Sequence, residues 1–320
     1  MFIILILTLL SCDKNKDGQL EKRNDNAIKI TKFAPKSSQN PCFSPDGQYL
    51  IFTRFLDGYN AGASEIVKIK VDGSDEKIIV SAHNSNNVNV PFGSWVGNTI
   101  CFASDRAGLA DEVWTVNDDG SNLQQRTTHP ESGGIYYIEP VFNPQNTKQI
   151  VFEYVTGKND KTAIHQIAFL NVETGCVTLL TDGTFDDRLP SWSNDGSRII
   201  FQRNSYGHDK GWRVYVAKIQ TSPSILIDSL KLIYFGESEY TDCSWGYNDE
   251  YILSSSPFGG DEMPNIWLFP LNPSKSPVRK TNTNTNEDGA PSQSYDGKKI
   301  AFESHYGDSE EEPSEIWIIE

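Results

Sequence analysis

The 320-residue chain is 37% hydrophobic and 22% charged, ordinary for a globular protein and ample for a core. Its 43 acidic against 28 basic residues leave a net charge of −15, which repels phosphate backbones and argues against nucleic acid as a partner. The same surface favours a soluble monomer and tolerates cationic peptides or metal ions as ligands.

The first twelve residues, MFIILILTLLSC, form an apolar run too short to cross a bilayer as a helix. They end at Leu9-Leu10-Ser11-Cys12, which resembles the bacterial lipobox. That resemblance implies a cleaved signal peptide over 1–12 and lipidation of Cys12. It places the protein in the bacterial cell envelope, periplasmic or surface-exposed, touching the membrane through its N-terminal lipid only. In one departure from ordinary signal peptides, no Lys or Arg precedes the apolar run. Residues 13–26, DKNKDGQLEKRNDN, have little to bury and read as a flexible tether. Such a tether reaches on the order of 20 Å.

From residue 27 onward a unit of about 50 residues recurs six times. Its anchors are Phe43, Trp95, Phe142, Trp192, Trp245 and Gln293, spaced by 52, 47, 50, 53 and 48. The fullest copies read Asn40-Pro41-Cys42-Phe43-Ser44-Pro45-Asp46-Gly47, Leu189-Pro190-Ser191-Trp192-Ser193-Asn194-Asp195-Gly196 and Ala290-Pro291-Ser292-Gln293-Ser294-Tyr295-Asp296-Gly297. Pro91 to Trp95, Glu139 to Pro144 and Asp242 to Trp245 are the shorter ones. Asp-Gly supplies the positive φ of a tight turn. An apolar strand follows, such as Tyr49-Leu50-Ile51-Phe52 or Ile300-Ala301-Phe302. A third strand then aligns in every copy, from Glu65-Ile66-Val67 to Glu315-Ile316-Trp317, and a short fourth strand completes all but the last.

Four antiparallel strands per repeat make the blade of a propeller, and a period near 50 fits that architecture. The expected fold is therefore all-β, a six-bladed β-propeller over residues 27–320. Its sixth blade lacks a fourth strand, which the N-terminal stretch Ala27–Phe33 is expected to supply, closing the ring. These repeats resemble the TolB-type, WD40-like propeller, whose pattern runs Pro-x-Phe/Trp-Ser-Pro-Asp-Gly, Ile-x-Phe, Asp/Glu-Ile-Trp/Tyr. The resemblance covers residues 27–320 and implies the propeller and an envelope location. TolB has an α/β domain ahead of its propeller, whereas only 26 residues precede the first blade here.

Strand alternation puts the loops between second and third strands on one face with the loops that enter each blade. Aromatic residues recur there, among them Tyr59, Tyr206, Phe258 and Tyr306, as do polar groups including Asn40, Glu139, Asp186, Asp187, Arg188, Asp242, Glu287 and Asp288. Flat amphipathic rings around an acidic mouth suit a protein or peptide partner, or a glycan. The site expected is therefore Tyr59, Glu139, Asp187, Arg188, Tyr206, Asp242, Phe258 and Tyr306, opposed by a plainer reading in which the rings cap blade cores. No Gly-x-Ser-x-Gly elbow, phosphate-binding glycine loop or His-Glu-x-x-His occurs, so no catalytic set, cofactor or metal is expected. A non-enzymatic binding scaffold follows. The alternative is a carbohydrate-active enzyme: oligogalacturonate lyases use similar repeats and bind a metal through histidines. That would enlist His83, His129, His208 and His305, which lie in four different repeats, and those lyases have seven blades. Cys42, Cys101, Cys176 and Cys243 lack the spacing of a disulfide framework or zinc site and read as free thiols.

Overall fold

Each Ser-x-Asp-Gly turn is closed by its own side chains. Ser44 Oγ donates to Asp46 at 2.6 Å and accepts from the Tyr49 amide at 2.9 Å, while Gly47 takes φ 68°. Ser193–Asp195 and Ser294–Asp296 repeat the bond at 2.6 and 2.7 Å, with Gly196 and Gly297 at φ 69° and 74°. The Ser44 hydroxyl and the Gln48 amide hold the Asp46 carboxyl below its ordinary range. The motif is a hairpin staple, and it fixes the register of the strands it joins.

The computed structural model describes residues 21–31, 36–83, 87–90, 94–108, 110–129, 134–157, 162–207, 211–221, 224–233, 239–307 and 312–320. Six antiparallel sheets follow one another along the chain, as expected from the repeat. Blade 1 comprises Ser37–Phe43, Tyr49–Phe55, Ser64–Lys70 and Lys77–Val80. In blade 2 the inner strand is split into Val88–Asn89 and Trp95–Val96, both paired with Thr99–Ser104, and Glu112–Asn117 and Gln124–Gln125 lie outside them. Blade 3 holds Ile135–Asn143, Asn146–Thr156, Ile164–Asn171 and Cys176–Leu179, and blade 4 Asp186–Trp192, Arg198–Asn204, Arg213–Gln220 and Leu226–Ile233. Blade 5 holds Thr241–Trp245, Tyr251–Ser256, Asn265–Pro270 and Val278–Arg279. Asn286–Gln293, Ile300–Tyr306 and Glu315–Ile319 form blade 6.

Second strands are apolar on both faces because each is sandwiched between neighbouring blades. Leu50, Ile51 and Phe52 are all fully buried, pointing alternately into the clusters shared with blades 6 and 2. Six such clusters, one per blade junction, form the core. The ring closes as expected: Ile28–Lys29 pairs with Ile318 and Trp317, and the Ile30 amide donates to the Ile316 carbonyl at 2.8 Å.

One expectation is corrected for residues 21–26, read from sequence as the end of a flexible tether. They fold back as a hairpin, with Lys29 N donating to Glu21 O at 2.9 Å and Arg23 N to Ala27 O at 2.8 Å. The Arg23 guanidinium reaches both Asp288 oxygens at 2.8 and 2.9 Å and Asp25 at 2.7 Å, and lies over the Phe302 and Trp317 rings. Burial opposes its charge, but Asp288 and Asp25 outweigh burial and raise its pKa. A composition-based reading missed this because the residues that dock, Arg23 on Asp288 and Asp25 on the Asn282 amide, are charged and count as tether composition. Cys12 and the remainder of the expected signal peptide and tether lie outside the described residues. Cys42, Cys101, Cys176 and Cys243 are free, the last pair exposed and buried respectively.

Candidate functional site

The inner strands share a device the sequence hides. Asn40, Glu139, Leu189, Asp242 and Ala290, one in each of five blades, take positive φ between 44° and 54°. Each sits at a register shift between first and second strands, the mark of a β-bulge. Four are followed by proline, Pro41, Pro140, Pro190 and Pro291, which has no N–H to lose where the ladder is interrupted. Left-handed backbone is unfavourable for Leu and Ala, so neighbours must hold it in place.

They do so from the adjacent blade. Glu303 Oε2 accepts the Asn40 amide at 2.8 Å, Glu153 Oε2 the Leu189 amide at 3.2 Å, and Asp242 Oδ2 the Ala290 amide at 3.3 Å. Glu153 and Glu303 occupy the same place in their second strands, just after Phe152 and Phe302. Thr53 fills that place in blade 1, and its hydroxyl accepts the Val90 amide at 2.9 Å. Latching three of the five bulges with a carboxylate from the preceding blade brings acids to the channel as a consequence of building it.

Three of these acids have no cationic partner among the described residues. Glu139 accepts only from Asn89 Nδ2, at 2.8 Å, and Asn89 in turn accepts from Asn40 at 2.9 Å. Glu303 Oε1 accepts from the Tyr59 hydroxyl at 3.3 Å. Burial first, then the charges of Glu153 and Asp242, push Glu139 up to about 8. Burial and then the Asp242 charge push Glu303 up to about 8 as well, and burial also raises Asp242. These groups gain most from an incoming positive charge.

The expected site residues divide. Tyr59, Glu139 and Asp242 meet at the channel, with Tyr59 also packed against the His305 ring at 5.3 Å between centroids. Tyr206 is partly exposed on the rim, its hydroxyl accepting from the His165 amide at 3.1 Å, and Tyr306 is 67% exposed. Arg188 is on the rim too, but chelated by Asp186 at 2.7 and 2.9 Å and laid over Trp212.

Two residues do not belong to the mouth. Asp187 is 1% exposed, turned into its blade and paired with Arg203 at 2.6 and 2.9 Å. Phe258 packs edge-on against Trp267 and Phe269 at 5.0 and 5.4 Å, so here the plainer expectation, a ring capping a blade core, is the correct one.

The histidines do not converge in the way a shared metal requires. His129 lies 2.6 Å from Glu112, His165 2.5 Å from Glu153 and His305 3.7 Å from Glu287, in blades 2, 3 and 6, while His83 is exposed. His208 is outside the described residues. Among the described residues no group of three or more His, Cys, Asp or Glu is placed to hold a metal ion. Sequence reasoning missed Glu153, His165 and Glu303. The available signal was the acid directly after the Ile-x-Phe strand in repeats 3 and 6.

No curated protein matches the chain. Among solved structures, an oligogalacturonate lyase from Vibrio parahaemolyticus superposes with TM-score 0.58 at 12% identity, covering 91% of this chain and 92% of that one. An oligogalacturonate lyase in complex with manganese gives 0.59 at 12% identity, over 92% and 77%. TolB from Acinetobacter baumannii gives 0.57 at 14% identity, over 90% and 64%. At such identities the likeness shows the fold alone. A family model described as the TolB β-propeller domain matches residues 20–223, more than half of the sequence, and the chain belongs to that family.

Proposed function

We propose that this propeller is a lipid-anchored, non-enzymatic binding protein of the bacterial cell envelope, whose channel mouth receives a cationic segment of a protein or peptide partner. The observation behind it is the set Glu139, Asp242 and Glu303, recessed in the channel with no Arg or Lys against them among the described residues. An incoming Lys or Arg supplies the missing charge in a partly desolvated site, where such a pair is worth more than on open surface. Tyr206 and Tyr306 give the flanking residues of a peptide flat, amphipathic rings to lie on. The Leu9-Leu10-Ser11-Cys12 sequence supports the lipid anchor and the envelope location.

The test is binding of envelope-derived peptides to the wild type and to a Glu139→Gln, Glu303→Gln double variant. Basic peptides are expected to bind the wild type, with affinity falling at least about tenfold in the variant. Equal binding of acidic and basic peptides, or no change in the variant, contradicts the proposal.

A second reading, a metal-assisted polysaccharide lyase, draws on the likeness to the oligogalacturonate lyases and on the close His165–Glu153 pair beside Tyr206. A polyuronate is an anion, however, and would meet the acids of this channel. Release of an unsaturated uronide from oligogalacturonate with manganese added would favour the lyase over the binding protein.

A further inference from the structure

Gln39, Asn89, Ile138, Arg188, Thr241 and Gly289 hold one position in the six inner strands, each directly opposite its second-strand partner and, in five blades, just before the bulge. Asn89 shows what a side chain does there. It accepts from Asn40 of the preceding blade at 2.9 Å and donates to Glu139 of the following blade at 2.8 Å. Gly289 alone has no side chain to offer. We propose that Gly289 is a specificity-determining residue of the mouth: the place its missing side chain leaves, between Asp242 of blade 5 and Glu303 of blade 6, seats one alkylammonium group, the end of a lysine side chain. This rests on the reading of the mouth as the receptor of a cationic segment, and narrows it from basic residues in general to lysine.

Nothing in the backbone calls for a glycine here. Gly289 lies outside the left-handed region, and a methyl group on it would stand 3.4 Å from Asp242 Oδ2, 3.6 Å from Glu303 Cγ and 3.8 Å from Glu303 Oε1, all ordinary contacts. Glycine inside a strand costs conformational entropy and packs nothing. What it gives at this position is room. Carboxylate oxygens of two different blades come within 3.8 Å of the same point, and no Lys or Arg is paired with either among the described residues. Asp242 accepts only from the Ala290 amide among those residues, at 3.3 Å, where its counterpart Asn40 has Asn89 to bond.

The acceptors favour an ammonium over a guanidinium. A guanidinium takes the two oxygens of one carboxylate side by side, in a planar fork. Glu303 does not offer that pair, since Oε2 already accepts the Asn40 amide at 2.8 Å and Oε1 the Tyr59 hydroxyl at 3.3 Å. Asp242 Oδ2 is likewise held by the Ala290 amide. The slot presents instead one oxygen from each of two carboxylates, with the Tyr59 hydroxyl oxygen beside them, from blades 5, 6 and 1. The three N–H donors of an ammonium point in separate directions and bridge acceptors dispersed in this way. A neutral ligand would leave both carboxylates without a counter-charge, and an anion would add to their repulsion.

The experiment is calorimetric titration of the full chain with two end-blocked peptides of equal length, one built on lysine and one on arginine, for the wild type, Gly289→Ala and Gly289→Asn. Thermal unfolding checks the fold of each variant, and Gly289→Ala is expected to unfold no earlier than the wild type. The lysine peptide is expected to bind the wild type about fivefold or more tighter than the arginine peptide. Gly289→Ala is expected to weaken the lysine peptide by about threefold or more, and Gly289→Asn, whose amide bonds Asp242 as Asn89 bonds Asn40, by about tenfold or more. Should Gly289→Asn not fold, Gly289→Ala carries the test. The Glu139→Gln, Glu303→Gln variant separates the two claims. If it loses the lysine peptide while the Gly289 variants keep wild-type affinity, the cationic mouth stands and the role of Gly289 is overturned. Equal affinity of the wild type for the two peptides overturns the choice of lysine, and failure of both to bind overturns the mouth and the slot together.

Discussion

Asp187 and Asp288 stand two residues before the bulges of blades 4 and 6, while Glu139 and Asp242 stand on the bulges of blades 3 and 5. The first pair is turned into the blades and answered by arginines, Asp187 by Arg203 and Asp288 by Arg23. The second pair is turned to the channel and has no cation among the described residues. Acids on equivalent strands are thus split into structural and available sets by where they stand relative to the bulge. A buried acid whose arginine comes from its own chain is part of the scaffold; one latched only by amides and neutral groups is open to a ligand.

Removing an arginine from the structural set has the largest expected effect. Arg23→Ala leaves Asp288, which is 0% exposed, without its counter-ion and loosens the segment that closes the ring. A loss of about 3–5 kcal/mol is expected in denaturant unfolding. A change near zero would remove the distinction between the two sets.

The available set behaves with the opposite sign. Glu139 has its pKa raised to about 8 from an ordinary 4.5, so the folded state holds a proton that the unfolded chain releases earlier. Its contribution therefore weakens folding as pH rises between about 4.5 and 8, and is fully felt above that window. Glu139→Gln keeps an acceptor for Asn89 and removes the ionisation. It is expected to stabilise the protein by on the order of 2 kcal/mol at pH 9, and to leave it unchanged at pH 4. Destabilisation at pH 9 would mean that Glu139 has a cationic partner and belongs with Asp187.

The scaffold was legible in the sequence because the same local chemistry recurs. Ser-x-Asp-Gly closes a hairpin by its own hydrogen bonds, and Leu50-Ile51-Phe52 leaves no polar face for solvent. The ends of the chain announced the ring closure, since blade 6 lacked a strand that Ile28–Lys29 supplies. The site was legible only in part. Asp186-Asp187-Arg188 reads as part of the loop that enters blade 4, but all three belong to the strand Asp186–Trp192, in which Asp187 pairs with Arg203. Two of the carboxylates that latch the inner strands come instead from second strands, Glu153 in blade 3 and Glu303 in blade 6. Phe258 was misplaced for another reason, since loop position alone does not tell a rim ring from one that folds down onto Trp267 and Phe269.

The most direct test of the available set is the proton balance of binding. A lysine-rich peptide is titrated into the protein by calorimetry at pH 7.5, in two buffers of different ionisation enthalpy. A cation entering the mouth lowers the raised pKa values of Glu139 and Glu303, so binding is expected to release about half a proton or more and to tighten as pH rises from 6 to 9. Binding with no proton release and no dependence on pH would contradict the account.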